Sequence, residues 1–172
     1  MDNYKCCFTG LRPQKLSFIE HSDEYKLVMS RFEIIIKKLI NKYNINYFIS
    51  GMALGWDTWC AKLILELQND YPAIILECAL PCNNQDKYWN TQDKATYRKI
   101  LSGSQIITYT QKVYSSDCMM KRNRYMIDSC DYVVGLWDGQ PGGTASTIKY
   151  AISQNKKIIV INPDNLEVRI KF

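Results

Sequence analysis

Apolar and polar positions alternate along this chain in blocks of two kinds. Short apolar runs occur at Tyr4–Phe8, Tyr47–Ser50, Ala73–Ala79, Gln105–Thr108, Asp131–Leu136 and Lys157–Asn162. Ile74-Ile75-Leu76 and Ile158-Ile159-Val160-Ile161 are apolar at successive positions, as strands buried on both faces are. Between most runs lie segments with helical periodicity, roughly Glu24–Tyr43, Asp57–Asn69, Thr91–Gly103, Cys118–Ser129 and Thr144–Gln154. In the first of these Leu27, Phe32, Ile35, Ile36, Leu39 and Ile40 recur near a 3.6-residue period, the stripe of a helix that covers a sheet. Repeated strand–helix units predict an α/β, Rossmann-like, doubly wound sheet, mainly parallel, with helices on both faces. No repeat, low-complexity segment or linker interrupts the alternation, so one domain over residues 1–172 is expected.

That architecture directs attention to the strand ends, because open parallel sheets bind ligands beyond the carboxyl ends of their strands, near the topological switch point. The richest strand end is Trp137-Asp138-Gly139-Gln140-Pro141-Gly142-Gly143-Thr144-Ala145-Ser146-Thr147, which joins Tyr132–Leu136 to a helical pattern. A glycine turn entering a helix presents backbone N–H groups to a phosphate. Gly142 and Gly143 permit close approach, and Thr144 or Ser146 can cap the helix or donate to a phosphate oxygen. Thr9-Gly10-Leu11-Arg12-Pro13 follows the first strand, with Thr9 and Arg12 as anion donors. After the second comes Ser50-Gly51-Met52-Ala53-Leu54-Gly55-Trp56-Asp57, in which Asp57 is either an N-cap or an acceptor for a ribose hydroxyl. After the third, Pro81-Cys82-Asn83-Asn84-Gln85 and Trp89 form a polar–aromatic group suited to a sugar or base, with Trp89 equally able to serve as packing. Arg122 and Arg124 stand two apart on a helix, so one faces the site and the other solvent.

Composition narrows the function classes. The chain of 172 residues is 47% hydrophobic and 23% charged, ordinary for a globular protein. No run approaches the length of about 18 apolar residues needed for a membrane helix. Met1-Asp2-Asn3-Tyr4-Lys5 has no signal-peptide pattern, and a cytoplasmic location is expected. Seven cysteines at irregular spacing and a single histidine, His21, suggest buried reduced thiols and no metal site. A net charge of +5 is concentrated only at Lys121-Arg122-Asn123-Arg124, which suits an anionic small molecule better than a nucleic-acid duplex. GxGxxG after the first strand, GxxxxGK[ST] and GxSxG are all absent, which argues against a dinucleotide dehydrogenase, a P-loop NTPase and an α/β-hydrolase.

Taken in order, Thr9–Pro13, Ser50–Asp57, Pro81-Cys82 with Gln85 and Trp89, Arg122-Asn123-Arg124, and Trp137–Gly139 with Gly142–Ala145 resemble the SLOG superfamily. That superfamily includes the DprA/Smf DNA-processing proteins and the LOG-type phosphoribohydrolases, and the branch most resembled is the small stand-alone YpsA-like proteins. The resemblance implies a Rossmann-like fold and a nucleotide ligand, often ADP-ribose-like or a nucleoside monophosphate. Some members sense NAD-derived signals such as cyclic ADP-ribose in anti-phage systems. It implies ligand contacts from Thr9, Gly10, Arg12, Ser50, Gly51, Asp57, Gln85, Trp89, Arg122, Asp138, Gly142, Gly143 and Thr144, with Trp89 or Trp137 as base platforms. LOG enzymes pair an arginine with the glutamate of PGGxGTxxE; here Arg122 matches the arginine, but the glutamate position is Thr147. A hydroxyl there removes a group able to stabilise oxocarbenium charge or handle a proton. Leu11 likewise departs from the TGHRP form of the nearest relatives. The expectation is therefore a nucleotide binder that senses or sequesters its ligand, with no catalytic residue and no cofactor, homo-oligomeric as its relatives often are. A LOG-like N-glycosidase, in which Asp57 or Asp138 substitutes for the glutamate, and a DprA-like single-stranded DNA binder are the alternatives; nucleic acid is the less expected partner.

Overall fold

The computed structural model of the chain describes residues 4–171. Its strands are β1 (Lys5–Gly10), β2 (Tyr47–Ser50), β3 (Ile75–Leu80), β4 (Ile106–Tyr109), β5 (Tyr132–Leu136), β6 (Lys157–Ile161) and β7 (Val168–Lys171). They form one sheet in the order β4-β3-β2-β1-β5-β6-β7. Every neighbouring pair is parallel except β6 with β7. The helices are α1 (Asp23–Tyr43), α2 (Trp56–Leu67), α3 (Thr91–Gly103), α4 (Cys118–Asp128) and α5 (Gly143–Ser153). The Rossmann-like α/β architecture read from the sequence is the one observed, and predicted and observed elements differ by a few residues at their ends.

Two elements were not anticipated. β7 pairs antiparallel with β6, matching Ile159 to Ile170 and Ile161 to Val168. Its four residues, Val168-Arg169-Ile170-Lys171, alternate charge with apolar side chains and are too short to stand out by periodicity. The second is a 3-10 turn at Pro13–Lys15, with proline in its first turn.

The helices divide between the two faces. Val28, Phe32, Ile36 and Leu39 of α1, together with Ile64 and Leu67 of α2 and Ile100 of α3, pack on one face around Phe8, Phe48 and Leu76. Met126 and Ile127 of α4 and Ala151 of α5 cover the other face against Cys7, Ile49 and Val133. All seven cysteines are buried and free, and Cys6, Cys7, Cys60, Cys78 and Cys130 pack as small apolar side chains in these layers. α1 begins at Ser22, whose hydroxyl accepts from Tyr25 N–H at 3.2 Å, and ends at Asn44 in the left-handed region. Among the described residues no helix is long and apolar enough to cross a membrane.

The chain runs outward from β1 through β2 and β3 to β4, then crosses back so that β5 lies on the other side of β1. The switch point is therefore the gap between the carboxyl ends of β1 and β5. Leu11 N–H donates to the Leu136 carbonyl at 3.1 Å and holds the two exits side by side.

Candidate functional site

A cleft of about 350 Å³ opens at that switch point. One wall comes from the exit of β1. Gly10 lies flat on the indole of Trp56, where a Cβ would stand 2.7 Å from Trp56 Cβ, so this glycine is required by packing. Thr9 is buried beside it, and Arg12 and Lys15 emerge exposed on either side of the Pro13 turn. Both cationic side chains line the cleft.

The opposite wall comes from the exit of β5. The Asp138 carboxylate accepts from Gln140 N–H at 2.9 Å, and the Trp137 indole N–H donates to the Gln140 carbonyl at 2.8 Å, closing a tight loop. Gly142 then adopts φ 152° and ψ −167°, a conformation that only glycine takes without strain, and α5 starts at the next residue. No side chain caps this helix. Its first intrahelical bond is Ser146 N–H to the Gly142 carbonyl at 3.0 Å, which leaves the earlier amides at Gly143 and Thr144, two residues that line the cleft, without an intrahelical partner. Those amides carry the positive end of the helix dipole.

Beneath the cleft lies a buried polar centre. Asp57 is 6% exposed and Arg122 is 3% exposed, facing each other across Gly51. The Arg122 guanidinium donates through Nη1 to the Gly51 carbonyl and through Nε to Asn123 Oδ1 at 2.8 Å. Asn123 Nδ2 donates to Thr147 Oγ1 at 3.0 Å, and Thr147 in turn donates to the Gly143 carbonyl at 3.0 Å. This chain of hydrogen bonds ties α4 to the first turn of α5. Burial pushes the Asp57 carboxyl above its ordinary range, against the opposing pull of Arg122 and Arg12. Burial also lowers the Arg122 pKa, against the pull of Asp57; as an arginine it stays charged. The Thr147 hydroxyl is committed at both donor and acceptor and holds the helix start.

Of the residues singled out in the sequence, Thr9, Gly10, Arg12, Asp57, Arg122, Asp138, Gly142, Gly143 and Thr144 line the cleft together. Ser50, Gly51, Gln85 and Trp89 do not. Ser50 Oγ donates to the Asp57 carbonyl at 2.8 Å and accepts from Met52 N–H at 3.2 Å, so its hydroxyl is spent on the loop. A Cβ on Gly51 would stand 2.8 Å from Asp57 Oδ2, which makes this glycine a spacer between buried charges. Gln85 Nε2 donates to the Gly51 and Met52 carbonyls at 3.2 Å each and braces the same loop. Trp89 packs edge-on against Tyr97, ring centroids 5.2 Å apart, as part of the core margin. The N-cap of α2 is Gly55, while the Asp57 carboxylate reaches back to Ala53 N–H at 3.4 Å. Trp137, fastened to Gln140, lines a different groove beside Ile148 and Val160.

Lys15 and Asn123 also line the cleft but were not among the ligand contacts expected from the sequence. Pro13, which starts the turn carrying Lys15, was a legible signal. Asn123 was masked by the basic residues on either side of it. Among the described residues no group of three or more His, Cys, Asp or Glu side chains could hold a metal ion.

A mainly parallel sheet whose cleft lies at the switch point, beside an uncapped helix start, is the architecture of a Rossmann-like α/β protein. More particularly, the chain belongs to the YspA SLOG family (YpsA), whose family model matches residues 6–166. The SPbeta prophage-derived protein YoqJ of Bacillus subtilis is 33% identical over 132 residues, covering 68% of this chain and 75% of that protein. A UPF0398 protein of Bacillus pumilus is 28% identical over 171 residues, covering 95% of this chain and 90% of its own. Among solved structures, DNA processing protein A (DprA) from Streptococcus pneumoniae aligns with a TM-score of 0.60 at 16% identity, covering 95% of this chain and 52% of that one. DprA from Helicobacter pylori, which binds single-stranded DNA, aligns with a TM-score of 0.59 at 18% identity, covering 92% of this chain and 65% of that one. The chain thus spans less than two thirds of each DprA, and at these identities the likeness is one of fold.

Proposed function

We propose that this protein binds a phosphate-bearing nucleotide of the NAD-derived, ADP-ribose or cyclic ADP-ribose type in the switch-point cleft, and senses or sequesters it without turnover. The observation that carries this reading is the uncapped start of α5 facing Arg12 and Lys15 across a cleft of about 350 Å³. Free amides at a helix dipole's positive end, opposed by two cations, make a receptor for a phosphate or diphosphate. Absence of turnover is supported by Thr147, whose hydroxyl is bonded within the helix pair where a LOG enzyme carries its glutamate. The similarity to a prophage-derived protein supports a phage-borne role in which the ligand is sequestered. A cytoplasmic location and a homo-oligomeric state are parts of the same proposal.

The test is a thermal-shift screen against ADP-ribose, cyclic ADP-ribose isomers, NAD and AMP, with each mixture chromatographed afterwards. A raised midpoint with the ligand recovered intact is the expected result, since a ligand stabilises the state that binds it. Adenine with ribose 5-phosphate from AMP, or nicotinamide with ADP-ribose from NAD, would instead establish an N-glycosidase and turn attention to Asp57 and Asp138, the carboxylates that line the cleft. The DprA fold favours a second reading, single-stranded DNA binding. It would show as oligonucleotide affinity that falls steeply with salt.

A further inference from the structure

Beside the phosphate cleft, a groove of about 400 Å³ runs between α4 and α5. The two cavities share Met119, Asn123 and Gly143, so a ligand can pass from one to the other over the first turn of α5. We propose that this groove is the subsite for the aromatic base of the nucleotide whose phosphate occupies the cleft, an inference that rests on the phosphate reading above.

The chemistry of the groove differs from that of the cleft. The Arg124 guanidinium lies over the Tyr150 ring, 5.4 Å from its centroid. The Tyr150 hydroxyl donates to Asp128 Oδ1 at 2.9 Å, which holds the ring beside the guanidinium. Met120, 49% exposed, supplies a polarisable thioether at the rim. Guanidinium planes, aromatic rings and thioethers are the surfaces on which bases stack. The exposed Ser146 hydroxyl offers a polar contact for the edge of the base. A phosphate is poorly served here, because the groove follows the flank of α5, where amides past the first turn are bonded within the helix, and Arg124 is its only cationic side chain. The two tryptophans suited by type to stack a base are committed elsewhere, Trp89 to Tyr97 and Trp137 to its own loop.

The experiment measures binding of AMP, ADP-ribose and ribose 5-phosphate by calorimetry to the wild type and to Met120→Ala, Arg124→Ala and Arg12→Ala. The expected result is that AMP or ADP-ribose binds about tenfold more tightly than ribose 5-phosphate, and that Met120→Ala and Arg124→Ala remove most of that advantage. Met120→Ala, which changes no charge, leaves ribose 5-phosphate affinity unchanged, whereas Arg12→Ala weakens all three. If ribose 5-phosphate binds but the base adds nothing, or if Met120→Ala weakens base-bearing and base-free probes equally, the groove is not the base subsite and the phosphate cleft stands. If none of the three probes binds the wild type, both readings fall together.

Discussion

Two glycine-rich turns in this protein have the same outline, a strand followed by glycines and a helix, and they are used in opposite ways. The turn from β2 into α2 is closed. Ser50, Gly51 and the first residues of the helix, Trp56 to Trp59, are all buried, and its polar groups are consumed by Ser50, Asp57, Gln85 and Arg122. Gly55 there has φ 87°, and a Cβ on it would meet Pro13 Cδ at 2.8 Å. The turn from β5 into α5 is open. Pro141, Gly142 and Gly143 are exposed, nothing lies within 4 Å of a Cβ built on either glycine, and the helix start has no cap. The first turn is closed on its own polar groups, and the second leaves its helix start open to the cleft. The same glycine motif at a strand end thus either spends its amides within the fold or leaves them without partners, and residue type alone does not tell which.

The comparison breaks most visibly at Arg122. From the sequence, Arg122→Ala should weaken ligand binding and leave stability nearly unchanged. The structure overturns the stability half of that expectation, because the buried guanidinium satisfies the Gly51 carbonyl and faces buried Asp57. Truncation leaves a buried carbonyl and a buried carboxylate without their cation, a loss of about 3 kcal/mol. For a domain of this length that lowers the melting midpoint by roughly 10 °C. Arg122→Lys recovers little of it, since an ammonium cannot span Gly51 and Asn123 together. A midpoint within about 2 °C of wild type would show the α2 turn to be less dependent on Arg122 than its bonding implies.

The open side predicts the opposite pattern. Arg12→Ala combined with Lys15→Ala removes two exposed cations that have no hydrogen-bond partner among the described residues, so the midpoint should stay within about 1 °C. Nucleotide affinity should fall about 10- to 100-fold, and the remaining binding should depend less on salt. Calorimetry at two ionic strengths reads both effects.

A smaller effect separates neighbouring glycines within the open turn. Gly142→Ala must force an L-residue into φ 152°, ψ −167° and should cost about 1–3 kcal/mol from backbone strain alone, with no clash to relieve. Gly143→Ala has an unstrained backbone and free space, and should change unfolding free energy by less than about 0.5 kcal/mol. Equal losses at the two positions, measured by denaturant titration, would remove the argument that Gly142 sets the helix start.

The legibility of these features in the sequence follows their physics. Buried parallel strands such as Ile158–Ile161 and the apolar stripe of α1 announce themselves, because their periodicity reflects burial directly. β7 did not, since an edge strand of four residues with its charges facing solvent carries too little period. Of the cleft lining, Thr9, Arg12 and Gly142–Thr144 were legible as polar or glycine residues following strands. Gln85 and Trp89 were misplaced because residue type shows capacity for a contact, and only the fold shows that Gln85 spends its amide on Gly51 and Met52. The Arg122–Asn123–Thr147 connection joins two helices and has no signature along either one.

The finest test reads the closed turn through pH. Burial raises the folded-state pKa of Asp57 above its ordinary value of 3.8, more than Arg122 and Arg12 together lower it. The unfolded chain therefore releases this proton at lower pH than the folded chain does. The resulting cost to stability is absent below the unfolded value, grows as pH rises from there through the folded value, and is constant above it. Asp57→Asn keeps an acceptor for Ala53 N–H and carries no proton to release. Stability of the variant relative to wild type should accordingly rise with pH from about 4 and then level off, the other carboxylates cancelling in the difference. A relative stability that instead falls as pH rises towards about 4 and is flat above it would mean that Arg122 and Arg12 outweigh desolvation and hold Asp57 as a carboxylate, which would turn the centre of the closed turn into a net stabilising pair of charges.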